Sequence, residues 1–467
     1  MNFKVKPTGD VMHASPTEAA STGTRSASIG GRLTALRDWA ANPVSSNAER
    51  VIYILLFAFL VAVRIPRILL EGRFWAEDGR IFYERAWERP WLDALFLPYT
   101  GYLNLTANLA GVFARHFAPL PIAPYVTTGL ALLIQCVPAI LIVTSRLDWL
   151  QRRVVLLIAL LIAATPPDSE EVWLNACSSQ HHLALAAAII LALETRSGLV
   201  GALQLGVLCI APLSSPASWV LVPLFGLRSV IDRSWPRAVQ TLVLIAGVTA
   251  QLALFFTSID GRVIGMPPSL FGAIVLTKNI IAPLLYAPGW SIPIGFLATR
   301  FSASGGPIWC LVIVVVLFAA AIIKAVLLPE KSPLWFLVSG AAIATASYVA
   351  AIGDKLGMLA VIGGGDRYAF APQVLFALAV LSWCVVEQGP VRIWARGAVA
   401  WLLIVGLAEF PTKGWQTGPP WPAEVQKWQQ NPSYSLQIWP TGWDMTLPGA
   451  GAASSSISKD MACPVSG

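Results

Sequence analysis

Val51-Ile52-Tyr53-Ile54-Leu55-Leu56-Phe57-Ala58-Phe59-Leu60-Val61-Ala62-Val63 carries no charge from end to end. Arg64-Ile65-Pro66-Arg67-Ile68-Leu69-Leu70 continues the apolar run to residue 70. Arg64 and Arg67 fall near its far end, where long stems let charged heads snorkel to an interface. A membrane-spanning helix needs about 20 apolar residues, and this run reads as the first span. Further runs lie at 123–144, 153–166, 180–194, 198–213, 214–228, 237–257, 307–328, 333–351, 369–386 and 395–410. Together they make about eleven spans, on average shorter than an ideal one. The reading is an all-α polytopic membrane protein.

The composition agrees. Of 467 residues, 56% are hydrophobic and 12% charged, against about 25% charged in an ordinary soluble protein. The mean hydropathy of +0.66 excludes a soluble enzyme, a disordered chain and a disulfide-rich secreted scaffold. The net charge of +7 reflects basic residues in loops rather than a nucleic-acid surface. None of the six cysteines forms a C-x-x-C pair, and Cys136, Cys209, Cys310 and Cys384 lie in apolar runs, where they read as small core residues.

Loop charges set an expected topology. With the N-terminus inside, Arg146, Arg152, Arg153, Arg228, Arg233, Arg237, Lys324, Lys331, Arg392 and Arg396 fall on inside loops, as the positive-inside rule asks. The outside loop 167–179 has no Lys or Arg and carries Asp168, Glu170 and Glu171. The assignment requires that 101–117 not span; Asn104, Asn108, Arg115 and His116 make it an interfacial or half-buried helix. The expected organisation is a flexible cytoplasmic tail at 1–50, a transmembrane domain at 51–410 with outer loops 71–122 and 258–306, and a Trp-rich outer tail at 411–467. No cleavable signal peptide is expected, since no short apolar region precedes the first span.

Four polar segments can carry chemistry. Arg73-Phe74-Trp75-Ala76-Glu77-Asp78-Gly79-Arg80-Ile81-Phe82-Tyr83 sets two adjacent carboxylates just beyond the first span. Asp78 can cap the helix that follows, or a carboxylate there can act as a general base towards an acceptor hydroxyl. Asp168 to His182 is polar and enters a span. Its acids offer oxygen ligands to a divalent cation, or form a solvated loop; Asn175, Gln180 and His181 are candidates for sugar hydrogen bonds. Gly363-Gly364-Gly365-Asp366-Arg367-Tyr368 is a loose loop ending at a span. Arg367 there can bind a phosphate through two hydrogen bonds, or anchor a helix end. Lys278 and Arg300 are weaker phosphate candidates. The tail holds Trp415, Trp421, Trp428, Trp439 and Trp443. Trp421 and Trp428 share a helix face, and indoles stack on sugars or sit at membrane interfaces; the tail reads as a small outer lid, with 449–467 disordered.

A first span, an outer loop opening with an acidic pair, and an interfacial helix preceded by Pro98-Tyr99-Thr100-Gly101-Tyr102 resemble the GT-C superfamily. These are integral-membrane glycosyltransferases that use polyprenyl-phosphate-linked sugars. The resemblance covers the first third of the chain by motif and the rest by topology. It implies that Asp78, with Glu77 as neighbour or substitute, is the catalytic base. Many members show Asp-Asp or Asp-Glu where this chain has Glu-Asp, so the base stays open between the two. It further implies Arg367 and Tyr368 near the donor phosphate, with Lys278 assisting, and inversion at the anomeric carbon. Tyr102, Asn175, Gln180, His181 and Trp421 are the sugar or acceptor candidates. The expected partners are a polyprenyl-phosphate sugar, a glycolipid or polysaccharide acceptor and membrane lipid, with no nucleic acid. No cofactor is demanded beyond the optional divalent cation. The expected setting is a bacterial inner membrane, N-terminus cytoplasmic and C-terminus periplasmic. The alternatives are a lipid-linked-sugar flippase or transporter, which needs ionisable residues inside spans or paired broken helices, and a polysaccharide polymerase or ligase of another fold.

Overall fold

The computed structural model describes residues 29–257, 265–285, 308–350, 359, 364–410 and 417–448. The expectations for 1–28, Arg300, Gly363, Trp415 and 449–467 lie outside them. The chain forms two units, Met1–Asn42 and Pro43–Gly467. The first contains the helix Ile29–Ala41, within the stretch read as a tail. The second opens almost at once on the helix Asn47–Arg64. Ser46 accepts a hydrogen bond from the Glu49 amide at 3.1 Å, so the Ser-x-x-Glu of residues 46–49 starts that helix as such a motif should.

Regular structure among the described residues is helical, apart from one antiparallel pair, Leu436–Ile438 with Trp443–Met445. Among the described residues six helices are long and apolar enough to cross a membrane: Leu120–Val143, Trp235–Leu254, Trp309–Leu327, Ser332–Val349, Arg367–Val386 and Gly389–Ala408. This is the make-up of an all-α membrane protein. The Trp309–Leu327 helix buries only Cys310 and Ala325 and leaves Val312, Val315, Val316 and Ile323 bare. A contiguous apolar surface of that kind belongs against lipid or another protein.

Among the described residues the expected count of eleven is not reached on helix length. Arg153–Ala164 has 12 residues, Ser179–Ala192 has 14 and Gly198–Ser214 has 17. At 1.5 Å per residue, 12 residues rise about 18 Å against a hydrocarbon core of about 30 Å. Thr165-Pro166-Pro167 ends the first of these, and Pro216 turns the expected span 214–228 into a 3₁₀ turn, Pro216–Leu221, before the helix Val222–Asp232. The helix Asn47–Arg64 has 18 residues but includes Glu49, Arg50 and Arg64. Within the expected outer loop 258–306, Pro268–Leu284 is itself an apolar helix.

Ser179–Ala192 is the central helix. All its residues except Gln180 are buried, which explains why it is apolar on every side from Leu183 onward. It packs on Val137–Val143, Gly198–Ser214, Ser332–Val349 and Arg367–Val386. Leu105–Phe117, read as interfacial, turns Thr106, Asn108 and Ala110 inward and leaves Leu109, Phe113 and Phe117 exposed. Thr106 and Asn108 therefore serve the interior, whereas His116 near its end is exposed. A Cβ at Gly111 would lie 2.5 Å from the Phe82 carbonyl, so only glycine lets this helix lie directly on the turn that carries the acidic pair.

The tail packs on that same turn. The helix Trp421–Gln430 and the strand pair share a core with Phe74, Tyr83 and Leu120. Trp439 donates its amide to the Phe74 carbonyl at 3.1 Å and accepts from the Ala76 amide. Arg80 pairs with Asp444.

Candidate active site

Asp78 opens a π-helical turn, Asp78–Tyr83, an element that recurs at functional sites. The residue before the pair, Ala76, has φ +21°, a strained value for a side chain with a Cβ. Asp78 is 2% exposed. It does not cap its own helix. Its carboxylate crosses to the turn before Ser179–Ala192, where Oδ2 accepts from the Ala176 amide and Oδ1 from the Cys177 amide, both at 2.7 Å. Burial pushes Asp78 up to about 7, and Glu77 adds to the rise; the two amides and Arg73 pull the other way. Burial also raises Glu77, which is half-buried; Arg367 opposes the rise and Glu171 adds to it.

Arg73 is buried and donates to the Trp173 carbonyl at 3.2 Å, with its guanidinium 4.6 Å from the Trp75 ring centroid. Its Nε and Nη1 have no protein partner, and burial lowers it to about 9. The residues beside the acidic pair therefore include a cation whose charge the protein only partly answers.

Three remote segments meet the acidic pair around residues 171–181. Arg367, first residue of its helix, pairs with Glu171 and lies 5.2 Å from the Tyr368 ring centroid. Tyr368 meets the His181 ring edge-to-face at 5.8 Å. The Tyr102 hydroxyl donates to Gln180 Oε1 at 3.2 Å. Asn104 caps Leu105–Phe117 and donates to the Cys177 carbonyl at 3.1 Å. Glu77, Asp78, Tyr102, Gln180, His181, Arg367 and Tyr368 thus form one neighbourhood.

The other three site candidates have different surroundings. Asn175 Nδ2 donates to the Glu171 and Trp173 carbonyls, and its Oδ1 accepts from the Ser178 amide at 2.8 Å. Its side chain is committed to shaping the turn, beside Leu174 with φ +55°. Trp421 is 2% exposed, donates to the Leu120 carbonyl at 2.9 Å and meets Phe74 edge-on; it is a core residue with no free face for a sugar. Lys278 is 0% exposed in a second π-helical turn, Leu276–Ile281. Its Nζ lies 2.9 Å from both Asp168 and Asp366. A lysine answered by two carboxylates has no charge to spare for a phosphate.

Residues that sequence reading did not assign to the site are Arg73, Glu171 and Asn104. Their signal was a charge or amide beside an apolar run, which membrane helices seldom tolerate without a partner. Among the described residues no three His, Cys, Asp or Glu side chains are grouped to hold a metal. No protein-family model matches the chain, and no curated protein matches it.

Proposed function

We propose that the chain is a membrane glycosyltransferase that moves a sugar from a polyprenyl-phosphate donor to a hydroxyl acceptor. One observation carries the proposal: the acidic pair, one arginine and a tyrosine hydroxyl come from three distant segments to meet the turn 171–181, where the hydroxyl bonds the Gln180 amide. In this reading Glu77 or Asp78 takes the proton of the acceptor hydroxyl. That oxygen bonds to the anomeric carbon as the bond from carbon to phosphate oxygen breaks, which inverts the configuration. Arg367, with the Tyr368 hydroxyl, answers the charge gathering on the departing phosphate. Tyr102, Gln180 and His181 hold sugar or acceptor hydroxyls. The raised carboxylates fit the role, since a base works best with a pKa near the working pH.

The reading includes GT-C-like architecture with about eleven crossings, the shorter helices crossing with help from neighbours. It places the N-terminus in the cytoplasm of a bacterium, and the site, tail and acceptor at the periplasmic face of the inner membrane.

The test is a pair of carboxylate variants, Glu77→Gln and Asp78→Asn, assayed for transfer from labelled polyprenyl-phosphate sugars. Loss of transfer in at least one, with the protein still folded, is expected. Full activity in both sinks the assignment.

A second reading, a flippase or transporter of lipid-linked sugars, draws on the Asp168–Lys278–Asp366 cluster, since ionisable groups among apolar helices often mark transport paths. Translocation of a fluorescent lipid-linked sugar in proteoliposomes, without transfer, would favour it.

A further inference from the structure

A second site lies away from the acidic pair. Pro268–Leu284, Arg367–Val386 and Gly389–Ala408 enclose a cleft of about 190 Å³, closed at one side by residues 162–167. It exceeds the roughly 150 Å³ that admits benzene in a dry protein cavity. Its walls are mostly apolar, Phe376, Leu402 and Leu403 among them, and none of the residues lining it is charged.

Two amides break the apolar lining. Gln373 donates Nε2 to the Lys278 carbonyl at 2.7 Å. That bond fixes which end of the amide faces away, and Oε1 is buried with no partner. Asn279 accepts the Tyr348 hydroxyl on Oδ1 at 2.9 Å, and its Nδ2 is likewise buried and unpartnered. Gln373 is 5% exposed and Asn279 8%. Buried polar atoms without partners are costly, and the two residues that carry them both line the cleft.

We propose that this cleft binds an uncharged amphiphile, an apolar chain ending in a hydroxyl. A hydroxyl both gives and takes a hydrogen bond. It donates to Gln373 Oε1 and accepts from Asn279 Nδ2, while its chain lies along Phe376 and Leu403. A phosphate brings acceptors and a charge to a site with no cation in its lining. An alkane leaves both amides unanswered. The inference does not depend on the transferase reading and stands or falls apart from it.

The experiment uses the full chain in detergent and a hexadecanol bearing a diazirine near its hydroxyl, photolysed and mapped by peptide mass. The expected result is label on Pro268–Leu284 and Arg367–Val386. Hexadecanol should displace it at about tenfold lower concentration than hexadecane or hexadecyl phosphate, the effect of one to two net hydrogen bonds. Gln373→Leu should erase the preference for the alcohol. Because that change also strips the Lys278 carbonyl of its donor, Ala377→Trp is the second variant; it fills the cleft and should abolish labelling. Equal displacement by alkane and alcohol, stronger displacement by the phosphate, or labelling that survives Ala377→Trp would each overturn the proposal.

Discussion

Asp78 is held at a cost to the fold, and the cost can be measured. Its carboxyl is pushed from 3.8 to about 7 at 2% exposure, so solvent screening removes little of the effect. Between those values the folded chain holds a proton at this position that the unfolded chain has lost. Stability therefore falls as pH rises from about 4 to 7 and is lowest above it. The rise of roughly 3 units, at 1.36 kcal/mol each, amounts to about 4 kcal/mol. Asp78→Asn resembles the protonated acid: one oxygen still accepts a backbone amide, and no charge is buried. The variant and the parent should unfold alike near pH 4. Above pH 7 the variant should be the more stable, by up to about 4 kcal/mol. The assay is unfolding of the purified protein in detergent, followed by tryptophan fluorescence from pH 4 to 8. Parallel curves with the variant less stable throughout would refute the reasoning. They would make Asp78 a structural cap of the turn 175–178 and move the catalytic argument to Glu77.

If Asp78 is the base, transfer should increase about tenfold per pH unit below about 7 and level off above it; a flat profile from pH 5 to 8 contradicts that. Lys278→Met should cost about 3–5 kcal/mol by leaving Asp168 and Asp366 face to face, and adding Asp366→Asn should restore part of it, both read from unfolding midpoints; an undiminished midpoint in the single variant would deny the cluster its structural weight. Trp421→Ala should cost about 3–5 kcal/mol as a core truncation with kcat per folded molecule unchanged; normal stability with a raised KM would return Trp421 to the sugar-binding residues.

The apolar runs that read as helices formed helices because that signal is local and strong. Their lengths were less legible, since proline pairs and polar entries such as Thr165-Pro166-Pro167 cut them short. The polar segments around 73–83, 168–182 and 363–372 were visible as interruptions, and residues from all three meet. What they would touch was not visible: Asp78 finds its amides 98 residues on, and Lys278 finds Asp168 at a separation of 110. Asn175 and Trp421 have the side chains of sugar binders, but a turn and a core claimed them first. Leu105–Phe117 is amphipathic with Thr106 and Asn108 inward and Leu109 and Phe113 outward, the reverse of a soluble surface helix, and only its packing shows which way it turns.

Sugar transfer is measured by following label from donor to acceptor. Purified wild-type protein and Glu77→Gln would receive a panel of radiolabelled polyprenyl-phosphate monosaccharides with a membrane glycolipid extract. Label entering the extract with wild type, for one donor of the panel, and lost or sharply reduced in the variant is the predicted result. Tight binding of the lipid donors with no transfer from any of them would contradict it and turn the account towards a carrier.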